Sequence, residues 1–143
     1  MNITITKTET PVPVTILHLD GKLEGISYEI LIDEAQKLYD AGVRDLLLDL
    51  SKLTFISSAG MAGLHQVALL FRGERYPGQD QGWAAYRSID RDRGRGTQEH
   101  VKLLSPTKEV QQVLDLTGFS SLFQIFTGLQ PALASFRQEV PAL

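Results

Sequence analysis

Near its start the chain alternates apolar and polar positions. Ile3 and Ile5 are interleaved with Thr4 and Thr6. That two-residue period marks a half-buried strand, expected over Asn2 to Thr8. Pro11 and Pro13 flank the connection to a second strand-like run, Val14 to Leu19. The two runs are expected to pair as an antiparallel hairpin with an irregular connection. Gly21-Lys22-Leu23-Glu24-Gly25 then reads as a glycine-rich loop. After it the period changes: Tyr28, Leu31, Ile32, Ala35, Leu38 and Tyr39 follow helical spacing. Ser27 is placed to cap that helix and Gly42 to end it.

The most informative stretch runs from Arg44 to Gly73. Leu46-Leu47-Leu48-Asp49-Leu50 is a short, nearly continuous apolar run, the pattern of a strand buried on both faces. A polar turn is expected at Ser51 and Lys52. Beyond Phe55-Ile56-Ser57-Ser58-Ala59-Gly60, the residues Met61, Leu64, Ala68 and Phe71 share one face of a helix. The unit is strand, loop, helix, with two serines where the helix begins. Either serine oxygen could accept from the unpaired N–H groups of the first turn. Gly60, without a Cβ, permits a close approach to that turn. Strand, helix, strand in this order implies a parallel pair joined by a crossover.

Glu74 to His100 breaks the periodicity. It is rich in Gly, Arg, Asp and Gln, and reads as a long mobile loop inserted into the domain. Arg91, Arg93 and Arg95 alternate with Asp90 and Asp92, the mix of signs of a solvated loop rather than of a nucleic-acid patch. Trp83 and Tyr86 are its aromatic anchors, suited to docking on the domain or meeting a partner. Regular structure resumes with a short strand, Val101 to Leu104. A helix is expected to start at Ser105 as N-cap and Pro106 at its first position, with Val110, Val113 and Leu114 buried and Gly118 as its stop. Phe123 to Phe126 reads as a last strand, and Leu129 to Phe136 as a last helix with Pro131 in its first turn. These elements predict a single α/β domain over residues 1–143, with a mixed, largely parallel central sheet packed with helices.

Composition narrows the chemistry. The 143 residues suffice for one core, and a formal charge of -3 gives no general attraction for nucleic acid or acidic membranes. The chain has no cysteine, which excludes disulfides, thiolate catalysis and Cys-ligated zinc. His18, His65 and His100 fall in three separate elements without metal-ligand spacing, so no metal is expected. There is no phosphate-binding or dinucleotide-binding glycine motif, and no cofactor is expected. Ser58 has Ile56, not glycine, two places before it, unlike a hydrolase nucleophile elbow. No signal peptide and no membrane-length apolar run is visible, so a cytoplasmic protein is expected.

The stretch LLLDLSKLTFISSAGMAGL resembles the signature of the STAS domain of anti-sigma-factor antagonists. In that family a hydrophobic strand leads into a loop reading roughly Asp-Ser-Ser/Thr-Gly-Leu at the start of a helix. The phosphorylatable serine directly follows the aspartate. With Gly60 and Met61 on the family's Gly-Leu, Ser58 stands on the phosphoacceptor and Ala59 on the next position. Ser57 occupies the place where many members carry aspartate, and is the alternate acceptor. Glu24 takes the acidic place in the family's Gly-x-Leu-Asp segment, which contacts the partner. Ser105, Pro106, Leu114, Gly118 and Phe119 are similar to the family's C-terminal half, and the resemblance covers about residues 10–72 and 101–136.

The resemblance implies a regulatory module rather than an enzyme. It would bind an anti-sigma factor or serine/threonine switch kinase while Ser58 is unmodified, be released by phosphorylation, and be restored by a serine phosphatase. The implied contact residues are Glu24, Gly25, Ser57, Gly60 and Met61, in a protein that is a monomer or weak dimer. Two further readings are a non-switching scaffold or ligand-sensing STAS module, and a small hydrolase using Ser58.

Overall fold

The protein is described by a computed structural model that covers residues 1–73 and 98–137. The expected insertion, with Trp83, Tyr86 and the arginines at 91, 93 and 95, lies outside the described residues except for Gln98 to His100. The elements are β1 (Asn2–Thr8), β2 (Val14–Leu23), α1 (Tyr28–Asp40), β3 (Leu46–Ile56), α2 (Ser58–Phe71), β4 (Val101–Leu104), α3 (Lys108–Thr117), a 3-10 turn (Phe119–Ser121), β5 (Ile125–Phe126) and α4 (Leu129–Ser135). All five strands join one sheet in chain order. β1 runs antiparallel to β2, and the other three pairings are parallel. The mixed, largely parallel α/β sheet expected from the periodicities is therefore what forms.

Two cores flank the sheet. Leu17, Leu19, Leu46, Leu48 and Leu50 face the side covered by α1, α2 and α3, against Leu31, Leu38, Leu64, Phe71 and Leu114. Leu47 points the other way, with Val14, Ile16 and Leu104, against Ala132, Leu133 and Phe136 around α4. α4 is fastened by the buried Lys102, whose ammonium donates to the Ser135 carbonyl (3.1 Å) and hydroxyl (3.0 Å). Cations are favoured at a helix C-terminus, where the last carbonyls lack partners.

Several local expectations are corrected by the backbone. There is no turn at Ser51 and Lys52, because β3 continues to Ile56 by absorbing two extra residues. His18 pairs with Asp49 and Asp20 with Lys52; Gly21 pairs with Leu53 and Lys22 with Phe55. Each step advances β3 by one residue more than β2, the signature of a bulge. The core-facing positions therefore change from every second residue to every third, giving Leu50, Leu53 and Ile56. β2 likewise runs on through Gly21 to Leu23, so the loop is confined to Glu24–Ser27. Neither Ser105 nor Pro106 opens α3. Thr107 is the N-cap, accepting from the Val110 N–H (3.3 Å) and donating to the Leu53 carbonyl (3.1 Å). Ser105 has a positive φ of 50° and is part of the connection. The last strand begins at Ile125; Phe123 is instead buried and stacks on Phe119 at 6.4 Å.

On the open part of the α4 face, β1, β2 and β3 carry a polar chain. The Thr6 hydroxyl lies 2.9 Å from His18 Nε2, and His18 Nδ1 donates to Asp49 at 2.7 Å. Burial works against the Asp49 charge. The bonds from His18 and from the Ser51 N–H outweigh it and hold the carboxyl below its ordinary pKa.

Candidate functional site

β2 and β3 are parallel and end side by side, Leu23 opposite Ile56. The Glu24–Ser27 loop and the two-serine loop therefore emerge at the same end of the sheet. This is the place where parallel α/β sheets leave room for a ligand or partner.

The two serines have different tasks. Ser57 is the N-cap of α2, with extended backbone (φ -95°, ψ 176°), and its hydroxyl oxygen accepts from the Gly60 N–H at 3.1 Å. Its own N–H donates to the Leu23 carbonyl at 2.9 Å, tying the start of α2 to the end of β2. Ser58 is the first residue of the helix and is exposed. The first turn of α2 carries no acidic side chain, and its last turn no basic one. An anion at Ser58 would thus meet the positive end of the helix without a fixed acid in that turn.

Gly60 and Met61 were expected to form part of a contact surface, and both are buried. A Cβ on Gly60 would overlap the Leu23 carbonyl and come within 3.0 Å of Ile56 Cγ1. What approaches Gly60 closely is the chain's own second strand. Met61 packs in the main core with Leu64. These two residues set the shape of the surface from beneath.

The neighbouring loop is held from inside. Ser27 is buried, and its hydroxyl donates to the Lys22 carbonyl (2.6 Å) while accepting from the Glu24 N–H (3.0 Å). It precedes α1 as expected but makes no side-chain cap bond. Its oxygen is used to fold the loop back on the strand. Glu24 is half-buried and Gly25 exposed, with open space where a Cβ would stand. The structure thus brings Glu24, Gly25, Ser57 and Ser58 to one end of the sheet.

The sequence reading missed two apolar side chains here. Ile26, at the tip of the loop, is 87% exposed, and Phe55, one residue before the end of β3, is 47% exposed. An isoleucine inside a Gly-Ile-Ser turn was the available signal for the first. Phe55 was hidden because the bulges in β3 decide which way it faces. Among the described residues there is no group of three or more His, Cys, Asp or Glu side chains able to hold a metal, and no helix is long and apolar enough to cross a membrane.

Comparison with known proteins places this geometry. Residues 4–74 match the STAS domain. BtrV of Bordetella bronchiseptica, a candidate anti-sigma factor antagonist, is 28% identical over 123 residues, 86% of each chain. A candidate anti-sigma factor antagonist from Thermotoga maritima has a crystal structure similar to this chain, with a TM-score of 0.63, 17% identity and 95% of both chains covered. The anti-sigma factor antagonist SpoIIAA in its unphosphorylated form matches with a TM-score of 0.57 and 14% identity over 96% of this chain and 99% of its own. The phosphorylated form of the Bacillus protein matches at 0.50 and 12%, over 92% and 97%. The structural likeness extends to the C-terminal half, which the domain match does not reach.

Proposed function

Because this chain belongs to the STAS-domain family, we propose that it is a regulatory protein-binding module of the anti-sigma factor antagonist kind, switched by phosphorylation of Ser58. The observation that carries the reading is the division of labour between the serines. The Ser57 oxygen is engaged in capping α2, whereas Ser58 presents an exposed hydroxyl on the first helical residue.

The partner is an anti-sigma factor or serine kinase docking on the end of the sheet. Ile26 and Phe55 give it exposed apolar surface, and Glu24 and Gly25 border the serine loop. Phosphorylation adds about -1.5 to -2 charges and three acceptor oxygens. The fold accepts this, since the phosphate sits by the free N–H groups and positive dipole end of α2. A docked partner does not, because a surface shaped for a neutral hydroxyl and apolar neighbours would have to desolvate a dianion. The switch thus acts on the complex and spares the fold. SpoIIAA, which shares this fold in both its unphosphorylated and phosphorylated forms, supports that separation. A serine phosphatase would reset the cycle.

The test is a binding titration against the kinase or anti-sigma factor captured on the immobilised protein. Ser58→Ala binds as the unmodified protein does and Ser58→Asp binds more weakly. Equal binding by both variants would favour a scaffold that does not switch.

A further inference from the structure

β1 is the outermost strand of the sheet, and among the described residues no strand pairs with its free edge. Its ladder to β2 runs through seven consecutive pairs without a bulge. Between Asn2 and Thr8 there is no proline and no glycine, and Lys7 is the one charged residue. Bulges, prolines and inward charges are the usual devices that keep an edge from pairing with another chain, and β1 has almost none of them. The opposite edge is different, since β5 is only two residues long. Among the described residues, therefore, the sheet has one long, regular edge and one blunted one.

We propose that β1 is a self-association edge: it pairs antiparallel with β1 of a second copy, making a two-fold dimer with a continuous sheet of ten strands, five from each chain. The occupant is a second copy because the strand complements itself. With the two-fold axis at Ile5, each Ile5 lies opposite its counterpart, Thr4 opposite Thr6, and Ile3 opposite Lys7, whose methylene stem can cover it. Pairs of β-branched residues are favourable neighbours across an antiparallel ladder, and this register opposes no like charges. Ile5 pairs with the core residue Leu17 within the chain, yet is 43% exposed. A second copy would cover that remaining surface. The pairing is isologous, so among the described residues it consumes both long edges and leaves the two short β5 edges. Association then stops at two.

The arrangement has a consequence for the serine loops. A two-fold axis perpendicular to the sheet reverses strand direction between copies. The ends of β2 and β3 in one copy, and in its partner, therefore lie at opposite ends of the joined sheet. Each dimer carries two Ser58 sites, both clear of the interface.

The chain has no cysteine, which makes the test direct. Ile5→Cys places two thiols across the axis, and mild oxidation should give a covalent dimer. Glu29→Cys, exposed on α1, is the control and should not. In sedimentation equilibrium the unaltered chain should show twice its 15.9 kDa mass at micromolar concentration. Ile5→Lys, which opposes two cations on the axis, should raise the dimer dissociation constant by at least about tenfold. A 15.9 kDa species for the unaltered chain throughout would overturn the proposal. So would an undiminished dimer in Ile5→Lys, or no cross-link through Ile5→Cys. Should Ile5→Lys fail to fold by circular dichroism, the native mass and the cross-link still decide.

Discussion

Replacing Gly60 by alanine sets two effects of opposite sign against each other. Gly60 lies in the first turn of α2, and alanine favours a helix over glycine by at most about 1 kcal/mol. On helix propensity alone, Gly60→Ala would stabilise the protein. Its added Cβ, however, would overlap the Leu23 carbonyl and press on Ile56 Cγ1. A backbone carbonyl in a paired strand cannot swing aside as a flexible side chain could. Overpacking of this kind costs about 1–3 kcal/mol. Moving α2 away from β2 also stretches the Ser57 N–H bond to the Leu23 carbonyl, worth about 0.5–1.5 kcal/mol. The steric and hydrogen-bond costs exceed the propensity gain, and the net expectation is destabilisation by about 1–3 kcal/mol. Urea unfolding followed by circular dichroism, with an unchanged denaturant slope, measures this. Gly25→Ala is the control, because a Cβ there meets nothing within 4 Å; its effect should stay within about 0.5 kcal/mol. Stabilisation by Gly60→Ala would refute the argument that Gly60 exists to admit the Leu23 carbonyl.

Leu48→Ala, in the fully buried middle of β3, should cost about 2–5 kcal/mol in the same assay; a cost below about 1 kcal/mol would contradict its place in the core. Ser57→Ala removes a cap and should cost about 0.5–2 kcal/mol, whereas Ser57→Asp keeps an acceptor at the helix end and should restore most of it. Ser58→Ala should leave stability nearly unchanged, since the Ser58 hydroxyl is not the cap. The lowered carboxyl of Asp49 contributes to the acid side of the stability curve. Its folded pKa lies below its unfolded one, so its contribution is complete above about pH 4 and is lost as pH falls through the folded value. Asp49→Asn should flatten unfolding free energy against pH in that acid range, and an unchanged acid slope would show that the bonds from His18 and Ser51 do not stabilise the fold.

Much of the architecture was legible because periodicity and burial agree. The apolar run Leu46–Leu50, the stripe from Met61 to Phe71 and the glycine stop at Gly118, with its left-handed φ of 81°, all stand where the pattern places them. What escaped reading depends on contacts distant in the chain. The bulges in β3 arise from its pairing with β2, so Ser51 and Lys52 look like a turn from local polarity alone. Ser105-Pro106 is a strong local start for a helix. Thr107 prevails because its hydroxyl also reaches the carbonyl of Leu53, 54 residues earlier. The candidate site divides the same way. Two adjacent serines at a strand–helix junction are visible in the sequence. Which of them caps the helix is settled by the Gly60 N–H and by the Leu23 carbonyl, a partner 34 residues before Ser57. Serine is among the favoured N-cap residues, and Ser57 fills that place through its bond from the Gly60 N–H.

The central claim is that Ser58, and not Ser57, carries the switch. Its most direct test is to incubate the protein with ATP and the kinase captured from cell extract on the immobilised chain, then map the phosphate by fragmentation mass spectrometry while following release from the kinase. The account predicts one phosphate, on Ser58, its appearance matching dissociation of the complex, and none on Ser58→Ala, which stays bound. Phosphate on Ser57, or phosphorylation of Ser58 that leaves the complex intact, would contradict it.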